Sequence, residues 1–199
     1  MRILFFSDSH LGYDYVLKPR VEKNRRGDDF FANFDRALTF AREHHVDLVV
    51  HGGDLFFRSK VPDAIVEKVY GRLVRFTGSQ IPVCIVPGNH ERSVLPSSIW
   101  LNDPLIYVFD SPRVFHFTKG GVTIALAGFP FVRGIREEFA QIEASLAAQV
   151  KEGAVPMLCL HQIIEGACVG PTGYQFRGGH DVIRANEIGA PWQGVLAGH

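Results

Sequence analysis

The sequence of 199 residues has little cysteine, no excess of either charge and no long apolar run. Its three cysteines, Cys84, Cys159 and Cys168, form no CxxC pair. This spacing argues against a disulfide framework and a thiolate zinc site, and it predicts a reducing, cytoplasmic environment. The 21 basic residues balance 21 acidic ones, so any attraction for nucleic acid must come from a local patch. Because no apolar run approaches about 18 residues, we expect neither a membrane span nor a membrane partner.

The remaining composition is that of a folded domain. Hydrophobic residues make up 46% of the chain and charged residues 21%, which is too apolar a composition for disorder. Domains commonly contain about 100–200 residues, so residues 1–199 are predicted to form a single domain. The sequence shows no internal repeat and no linker that would divide it.

The N-terminal half alternates between predicted strands and helices. Apolar runs at Ile3–Phe6, Asp47–Val50 and Val83–Val86 are short enough to be buried strands. Between these runs, apolar residues recur at helical spacing after Asp28 and after Pro62. This β-α-β-α-β order predicts a parallel sheet that is covered by helices.

The C-terminal half has a different pattern. Three closely spaced apolar segments predict a more antiparallel region. They are Ile106–Phe109, Val114–Phe117 and Val122–Ala127. An amphipathic helix is predicted from Ile135, followed by a buried strand at Val155–Leu160 and a last strand at Gly194–Ala197. Residues 162–181 are rich in glycine, and we expect a long loop there.

Five of the predicted strands run into polar residues at their carboxyl ends. In open α/β sheets this is the edge where ligands bind. The polar residues are, in chain order, Asp8 and His10, Asp54, Asn89 and His90, His161, and His199. Carboxylate, amide and imidazole donors without a thiolate suit Mn²⁺, Fe or Zn²⁺, and the set is too rich in histidine for Ca²⁺. So many donors exceed the needs of one tetrahedral ion, which predicts two divalent ions, a pair that splits phosphate esters.

These motifs together resemble those of the calcineurin-like metallophosphoesterases. The resemblance covers essentially the whole chain and rests on Asp8-x-His10, Gly53-Asp54, Gly88-Asn89-His90-Glu91, the later His161 and Gly198-His199. Within that family the sequence is similar to the double-strand-break repair nucleases of the bacterial SbcD type. The features behind this likeness are a basic stretch before an Asp/Phe-rich helix, Asp8-Ser9-His10-Leu11-Gly12 and Gly53-Asp54-Leu55-Phe56.

The resemblance implies a fold and a role for each motif residue. The fold is an α/β sandwich of two mixed β-sheets flanked by helices, in α/β/β/α layers, truncated at its C-terminus. The implied ligands are Asp8 and His10 for the first ion, Asp54 as a bridge, and Asn89, His161 and His199 for the second. His90 would stay off the metal and assist at the phosphate. Mn²⁺ is the favoured ion, with Fe and Zn²⁺ as alternatives.

The sequence departs from the family pattern at its C-terminal end. The family motif is Gly-His-x-His, and its second histidine ligates the first metal. This chain ends at His199, before that histidine. The resemblance therefore implies weak occupancy of the first metal and low activity of the chain as written. The family's capping region and its segment for binding an ATPase would also follow this point.

A basic stretch beside the first motif is the predicted contact for a nucleic-acid backbone. The candidate substrate-binding residues are Lys18, Arg20, Arg25 and Arg26, with Arg58 and Arg92 after two other motifs. The alternative for this stretch is a solvated loop, since nearby acidic residues dilute its charge. By resemblance alone, the partners would be DNA, an SMC-like ATPase subunit of the SbcC type and, in a longer parent chain, a second copy.

Three functions remain open at this stage. The first is a Mn²⁺-dependent DNA nuclease of repair, exonuclease or endonuclease, in which a hydroxide between the metals attacks the phosphodiester. The second is a small-molecule phosphoesterase that acts on cyclic nucleotides or other nucleotide phosphates. The third is a catalytically silent interaction module. An open groove at 18–26 would favour the nuclease, whereas a lidded pocket built from 162–181 would favour the small-molecule enzyme.

Overall fold

The computed structural model of the protein describes residues 1–14, 26–169, 173–176 and 178–199. The helices in these ranges are α1 (Gly27–Glu43), α2 (Asp63–Thr77) and α3 (Ile135–Ala147). The strands are β1 (Ile3–Phe6), β2 (Leu48–His51), β3 (Val83–Ile85), β4 (Ile106–Val108), β5 (Arg113–Lys119), β6 (Val122–Gly128), β7 (Val155–Leu160), β8 (Ile163–Ile164), β9 (Cys168–Val169), β10 (Tyr174–Gln175), β11 (Val182–Ile183) and β12 (Gly194–Ala197). No helix in the described part of the chain is long and apolar enough to cross a membrane.

The first sheet contains four parallel strands in the order β1-β2-β3-β4. Helices α1 and α2 form the crossovers that parallel pairing requires. Asp28 and Asp29 lie in the first turn of α1, where carboxylates stabilise the helix through its dipole. Phe6 pairs with His51, and His51 pairs with Ile85, so the first three strands end at a common edge.

One strand lies outside the region in which the sequence pattern places it. Residues 106–109 were expected in the antiparallel region, but β4 pairs parallel with β3, with Ile106 opposite Val83. The segment between β3 and β4 is long enough for a crossover, so the chain re-enters the first sheet in the parallel sense. The antiparallel expectation holds only for β5 and β6, which are joined by the tight turn at Gly120 and Gly121.

The second sheet has the order β12-β7-β6-β5. Strand β5 is antiparallel to β6, whereas β6, β7 and β12 are mutually parallel. Helix α3 connects β6 to β7. The carboxyl ends of β6, β7 and β12 therefore lie at one edge. Within its described residues, the predicted loop at 162–181 contains the strand pair β9–β10, and its β8 pairs with β11, which directly follows the loop.

Three apolar clusters show how the layers stack. Val49 and Val83 pack with α1 and α2 on the outer face of the first sheet. Leu48 and Cys84, on the alternate positions of the same strands, pack against Leu126 of the second sheet. A third cluster fills the space between the second sheet and α3. The order is helices, sheet, sheet, helix, which confirms the expected α/β/β/α layering.

Candidate metal centre

Two loops that follow β1 and β2 run side by side at the sheet edge. The amide of Asp8 donates to the carbonyl of Gly53, and the amide of His10 donates to the carbonyl of Asp54, both at 2.9 Å. Asp8, His10 and Asp54 all have left-handed backbones, with φ between 44° and 57°. Such conformations cost about 1–3 kcal/mol each in non-glycine residues, and they concentrate at functional sites. The fold tolerates this strain where the predicted ligands lie.

Close packing around Asp54 requires glycine at two positions. A Cβ atom on Gly53 would overlap the His161 ring, and a Cβ on Gly88 would overlap the Asp54 carboxylate. Gly53 also has a positive φ of 113°, which a side chain rarely adopts. The glycines before the motif residues therefore let the loops approach one another.

Donors that follow four different strands, β2, β3, β7 and β12, converge at one place. We call Asp54, Asn89, His161 and His199 the tight cluster. The Nε2 atom of His161 lies 3.0 Å from Asn89 Oδ1, 3.1 Å from His199 Nδ1 and 3.4 Å from Asp54 Oδ2. The His161 and Asp54 side chains are 0% and 3% exposed. This arrangement gathers oxygen and imidazole nitrogen donors around a buried ring, with Asn89 half-buried and His199 exposed.

The spacing in the tight cluster fits a divalent ion. Ligands that lie about 2.0–2.2 Å from a common ion are separated from each other by about 3.0–3.5 Å. The three distances to His161 Nε2 fall in that range. The two imidazole nitrogens that face each other, His161 Nε2 and His199 Nδ1, gain little from this contact alone, so a cation between them would stabilise the arrangement.

His161 is held so that one defined nitrogen faces the cluster. Its Nδ1 lies 2.8 Å from the carbonyl oxygen of Gly52, so Nδ1 carries the proton and Nε2 offers a lone pair. Burial acts to lower the pKa of His161, but the hydrogen bond and charge of Asp54 outweigh burial and raise it. For Asp54, burial acts in the opposite direction, and its contacts with His161 and the His90 amide lower the pKa overall.

A second set of donors meets at the same carboxylate oxygen, Asp54 Oδ2. We call Asp8, His10 and Asp54 the open cluster. His10 Nε2 is 3.7 Å from Asp8 Oδ1 and 3.9 Å from Asp54 Oδ2. The Asp8 side chain is 41% exposed, and its Oδ2 accepts a hydrogen bond from Ser7. The two clusters share Asp54, as the sequence analysis expects of a bridging residue.

His90 lies beside the open cluster. Its Nδ1 is 2.8 Å from the carbonyl oxygen of Phe57, and its Nε2 is 3.8 Å from Asp54 Oδ2. Nδ1 therefore donates, which leaves Nε2 on the side of the cluster. The His90 side chain is 37% exposed, in contrast to the fully buried His161. Its position permits contact with a ligand that arrives from solvent.

Glu91 is a buried residue of the third motif to which the sequence analysis assigned no role. Its carboxylate accepts the amide of Phe56 at 2.6 Å and the amide of Gly88 at 2.8 Å. It thereby joins the loop that carries Asp54 to the loop that carries Asn89. Burial raises the pKa of Glu91 to about 7, against the two amides, which act to lower it.

His51 is a second buried residue to which the sequence analysis assigned no role. It ends β2, and its Nε2 lies 2.8 Å from the hydroxyl of Ser9, between Asp8 and His10. The rings of Phe6 and Phe34 pack against it. Burial lowers the pKa of His51 to about 3, so it is neutral near pH 7. Sequence gave no signal for this contact, because Ser9 and His51 are far apart along the chain.

The predicted substrate-binding residues have different outcomes. Lys18, Arg20 and Arg25 lie outside the described residues. Arg26 precedes α1 and forms an ion pair with Asp29 at 2.8 Å. Arg58 lies over the ring of Phe57, 6.0 Å from its centroid, and Phe57 contacts both His10 and His90. Arg92 lines a cavity together with Asn89 and His199. Arg58 and Arg92 are thus beside the site.

Arg133 lines the same cavity and was missed by the sequence analysis. It follows β6, whose carboxyl end lies at the same edge as those of β7 and β12. The parallel pairing of β6 with β7 could have pointed to it. Its distance from the strand end, beyond an apolar Phe-Pro-Phe-Val segment, hid the connection.

Comparison with known proteins agrees with this architecture. The calcineurin-like phosphoesterase family model matches residues 1–161. Among solved structures, a dimetal phosphatase from Danio rerio aligns with a TM-score of 0.54 at 11% identity, covering 87% of this chain and 73% of that one. At that identity the likeness shows the fold alone.

Curated relatives include repair proteins. The DNA double-strand break repair protein Mre11 of Saccharolobus solfataricus is 26% identical over 167 residues, which is 81% of this chain and 41% of that protein. The protein of the same name from Thermoplasma acidophilum is 29% identical over 89 residues, 45% of this chain and 22% of that one. The chain thus spans less than half the length of these relatives. On the family match, the chain belongs to the calcineurin-like phosphoesterases.

Proposed function

We propose that the protein is a two-metal phosphodiesterase that uses Mn²⁺ and cleaves DNA. The observation that carries this proposal is the pair of donor clusters that share Asp54. Two adjacent divalent ions, when bound, activate water at neutral pH and stabilise the charge on a phosphate under attack. Family membership supports phosphoester chemistry, and the curated relatives support DNA as the substrate.

The ligand set follows from the two clusters. Asn89, His161 and His199 would hold one ion, Asp8 and His10 would hold the other, and Asp54 would bridge. In this arrangement the Gly52 carbonyl fixes the orientation of the His161 ring, which is what a metal-binding histidine needs. The Ser7 hydroxyl orients Asp8 in the same way, since it donates to the Asp8 carboxylate.

His90 would act on the substrate rather than on an ion. The Nδ1–H of His90 donates to the carbonyl oxygen of Phe57, so Nε2 is the ring nitrogen that would contact the phosphate. With a proton on Nε2, His90 donates a hydrogen bond to a phosphate oxygen and can pass that proton to the leaving oxygen. Its partial exposure supports this role, because the substrate must reach it from solvent.

The relatives also suggest a setting for the activity. We place the protein in the cytoplasm, where its three free thiols would remain reduced. An SMC-like ATPase and a second copy of the protein are the proposed partners in DNA repair. Co-purification with an ATPase from the native host, followed by mass spectrometry, would test the first of these.

The proposed activity is tested with end-labelled linear DNA and added Mn²⁺. We expect metal-dependent degradation, which His90→Ala abolishes while bound metal stays near the wild-type amount. His44→Ala is the matched control, since His44 stacks on Phe40 at the end of α1. Cleavage by the His90→Ala protein would contradict its role, and no cleavage by the metal-loaded wild type would contradict the nuclease proposal.

A small-molecule phosphoesterase is the second candidate. The cavity beside Asn89 and His199, about 580 Å³ in volume, favours it because small-ligand sites have volumes of about 300–1,000 Å³. Comparing turnover of a cyclic nucleotide with turnover of DNA separates the two candidates. Faster turnover of the cyclic nucleotide would select the second. The sequence analysis expects an open groove at 18–26 for a nuclease, but most of these residues lie outside the described part of the chain.

A further inference from the structure

The cavity beside the tight cluster has two arginines on its wall. Arg92 and Arg133 line it together with Asn89 and His199, two residues of the tight cluster. Both arginines are exposed, and neither has a carboxylate or hydrogen-bond partner for its guanidinium among the described residues. Unpaired guanidinium groups next to a phosphate-cleaving centre are suited to bind a second anion.

The loop that carries Arg92 is held in an unusual conformation. Arg92 and Ser93 both have left-handed backbones, with φ of 53° and 65°. The amide of Arg92 donates to the Asn89 carbonyl at 3.1 Å, and the hydroxyl of Ser93 donates to the Phe131 carbonyl. This turn fixes Arg92 close to Asn89, at the mouth of the tight cluster. Strain of this kind persists where the surrounding contacts enforce it.

The remaining wall is suited to a nucleoside. The Phe131 ring lines the cavity, and its centroid lies 6.2 Å from the centroid of the His199 ring. Aromatic faces accept bases by stacking without regard to sequence. Asp181 is the one acidic residue on this lining within the described chain, and its carboxylate accepts the amide of Gly134 at 2.6 Å. Asp181 is thus engaged by the loop itself.

We propose that this cavity binds the phosphate next to the scissile one, with Arg92 and Arg133 as its anion ligands. The substrate class is a nucleotide that carries at least two phosphates, as in a DNA strand. This inference rests on the proposed phosphodiesterase function, because it takes the two clusters together, with His90 beside them, as the place where the scissile phosphate lies. The arginines determine specificity, and the chemistry stays with the clusters.

The test measures binding, with turnover as a separate readout. Calorimetric titration of the Mn²⁺-loaded protein compares thymidine 3′,5′-bisphosphate with the 5′- and 3′-monophosphates. We expect the bisphosphate to bind about tenfold tighter or more, since each charge-assisted arginine contact contributes on that scale. In the Arg92→Ala/Arg133→Ala double variant this preference should fall to about one. Arg75→Ala, an exposed arginine of α2, should keep the wild-type preference.

The outcomes separate the two claims. Equal affinity for bisphosphate and monophosphates in the wild type, or a preference that survives in the double variant, would overturn the second phosphate site. Hydrolysis of bis(p-nitrophenyl) phosphate, which carries a single phosphate, reports only on the proposed function. A protein that prefers the bisphosphate but hydrolyses no diester would refute the phosphodiesterase and leave the anion site standing. A 5′-phosphorylated oligonucleotide is titrated in the same way. Tighter binding of the oligonucleotide than of the bisphosphate would indicate DNA as the ligand, and weaker binding would indicate a small nucleotide.

Discussion

The two donor clusters meet at the same oxygen of one carboxylate, Asp54 Oδ2, and differ in spacing and in the burial of their histidines. In the tight cluster, three donors lie 3.0–3.4 Å from His161 Nε2, and that ring is fully buried. In the open cluster, His10 lies 3.7–3.9 Å from its two carboxylates, one of which is 41% exposed. We expect the closely spaced donor set around a buried ring to hold an ion more firmly than the wider one. We therefore propose that one sheet edge holds two ions with unequal strength.

Each cluster has its own buried support. Behind the tight cluster, Glu91 accepts two backbone amides and ties the loops of Asp54 and Asn89 together. Behind the open cluster, His51 contacts Ser9 through one hydrogen bond. The tight cluster is therefore fixed by more contacts, and the difference between the clusters extends into the protein behind them.

Removing the shared residue should have the largest effect. Asp54→Asn keeps the shape of the side chain but removes the charge that both clusters use. We expect bound Mn²⁺ to be lost from both clusters and diester hydrolysis to fall on the order of 10⁴-fold. Metal analysis and turnover of bis(p-nitrophenyl) phosphate measure this. Asp35→Asn is the control, since Asp35 pairs with Arg72 on the helices. Retained metal in one cluster would show that Asp54 is not shared.

Removing the support of the tight cluster should destabilise the protein. Glu91→Ala leaves the amides of Phe56 and Gly88 buried without an acceptor. Each costs about 1–3 kcal/mol, so the free energy of unfolding should fall by about 2–6 kcal/mol. Urea denaturation with EDTA present measures this without a metal contribution. Glu91→Gln keeps one acceptor oxygen and should lose less. If Glu91→Gln lost as much unfolding free energy as Glu91→Ala, the acceptor oxygen that Gln retains would contribute nothing to stability, and the hydrogen bonds to the two amides would not explain the loss.

Single ligand changes should separate the two clusters. His161→Ala should weaken the tighter of two Mn²⁺ binding events by ~100-fold or more, whereas His10→Ala should weaken the looser one. Titration calorimetry resolves the two events, and His44→Ala serves as the control. If the two variants had the same binding profile, the clusters would not be distinct.

The smallest effect concerns the support of the open cluster. His51 has a pKa of about 3 in the folded protein, mainly because burial disfavours its charge. The neighbouring His161 and His10 also lower this pKa, and Asp54 acts to raise it. The unfolded chain takes up that proton near the ordinary histidine pKa of about 6.5. Its contribution to stability is therefore present above about pH 6.5 and is lost as pH falls, by up to ~1.4 kcal/mol per pH unit.

His51→Leu removes this titration. With EDTA present, the variant should show a shallower loss of unfolding free energy between about pH 6.5 and pH 5 than the wild type. Urea denaturation at several pH values gives both slopes. Parallel slopes in the two proteins would mean that His51 takes up no proton on unfolding.

Much of the fold follows from local pattern. Ile3–Phe6, Val155–Leu160 and Gly194–Ala197 are strands with the predicted bounds, because each apolar run is flanked by polar or turn residues. Periodicity says nothing about which strand pairs with which. The sense of β4 depends on a crossover and on contacts with β3, so residues 106–109 were placed in the wrong region.

The site divides in the same way. Its predicted ligands all lie within four residues of the carboxyl end of a strand, and strand ends at one edge lie close together, so sequence order was enough to bring the ligands together. His51 and Arg133 act through contacts between loops that are distant in the chain, and no local motif marks them. Glu91 is visible as part of a motif, but its two amide partners become apparent only when the loops are adjacent.

The most direct test of the account is a Mn²⁺ titration of the metal-free protein, followed by electron paramagnetic resonance. Because the clusters share Asp54, two ions bound there would be adjacent and magnetically coupled. We predict the signal of an isolated ion at the first equivalent and a spin-coupled pair at the second. Two uncoupled ions, or binding that stops after one equivalent, would contradict a two-metal centre at this sheet edge.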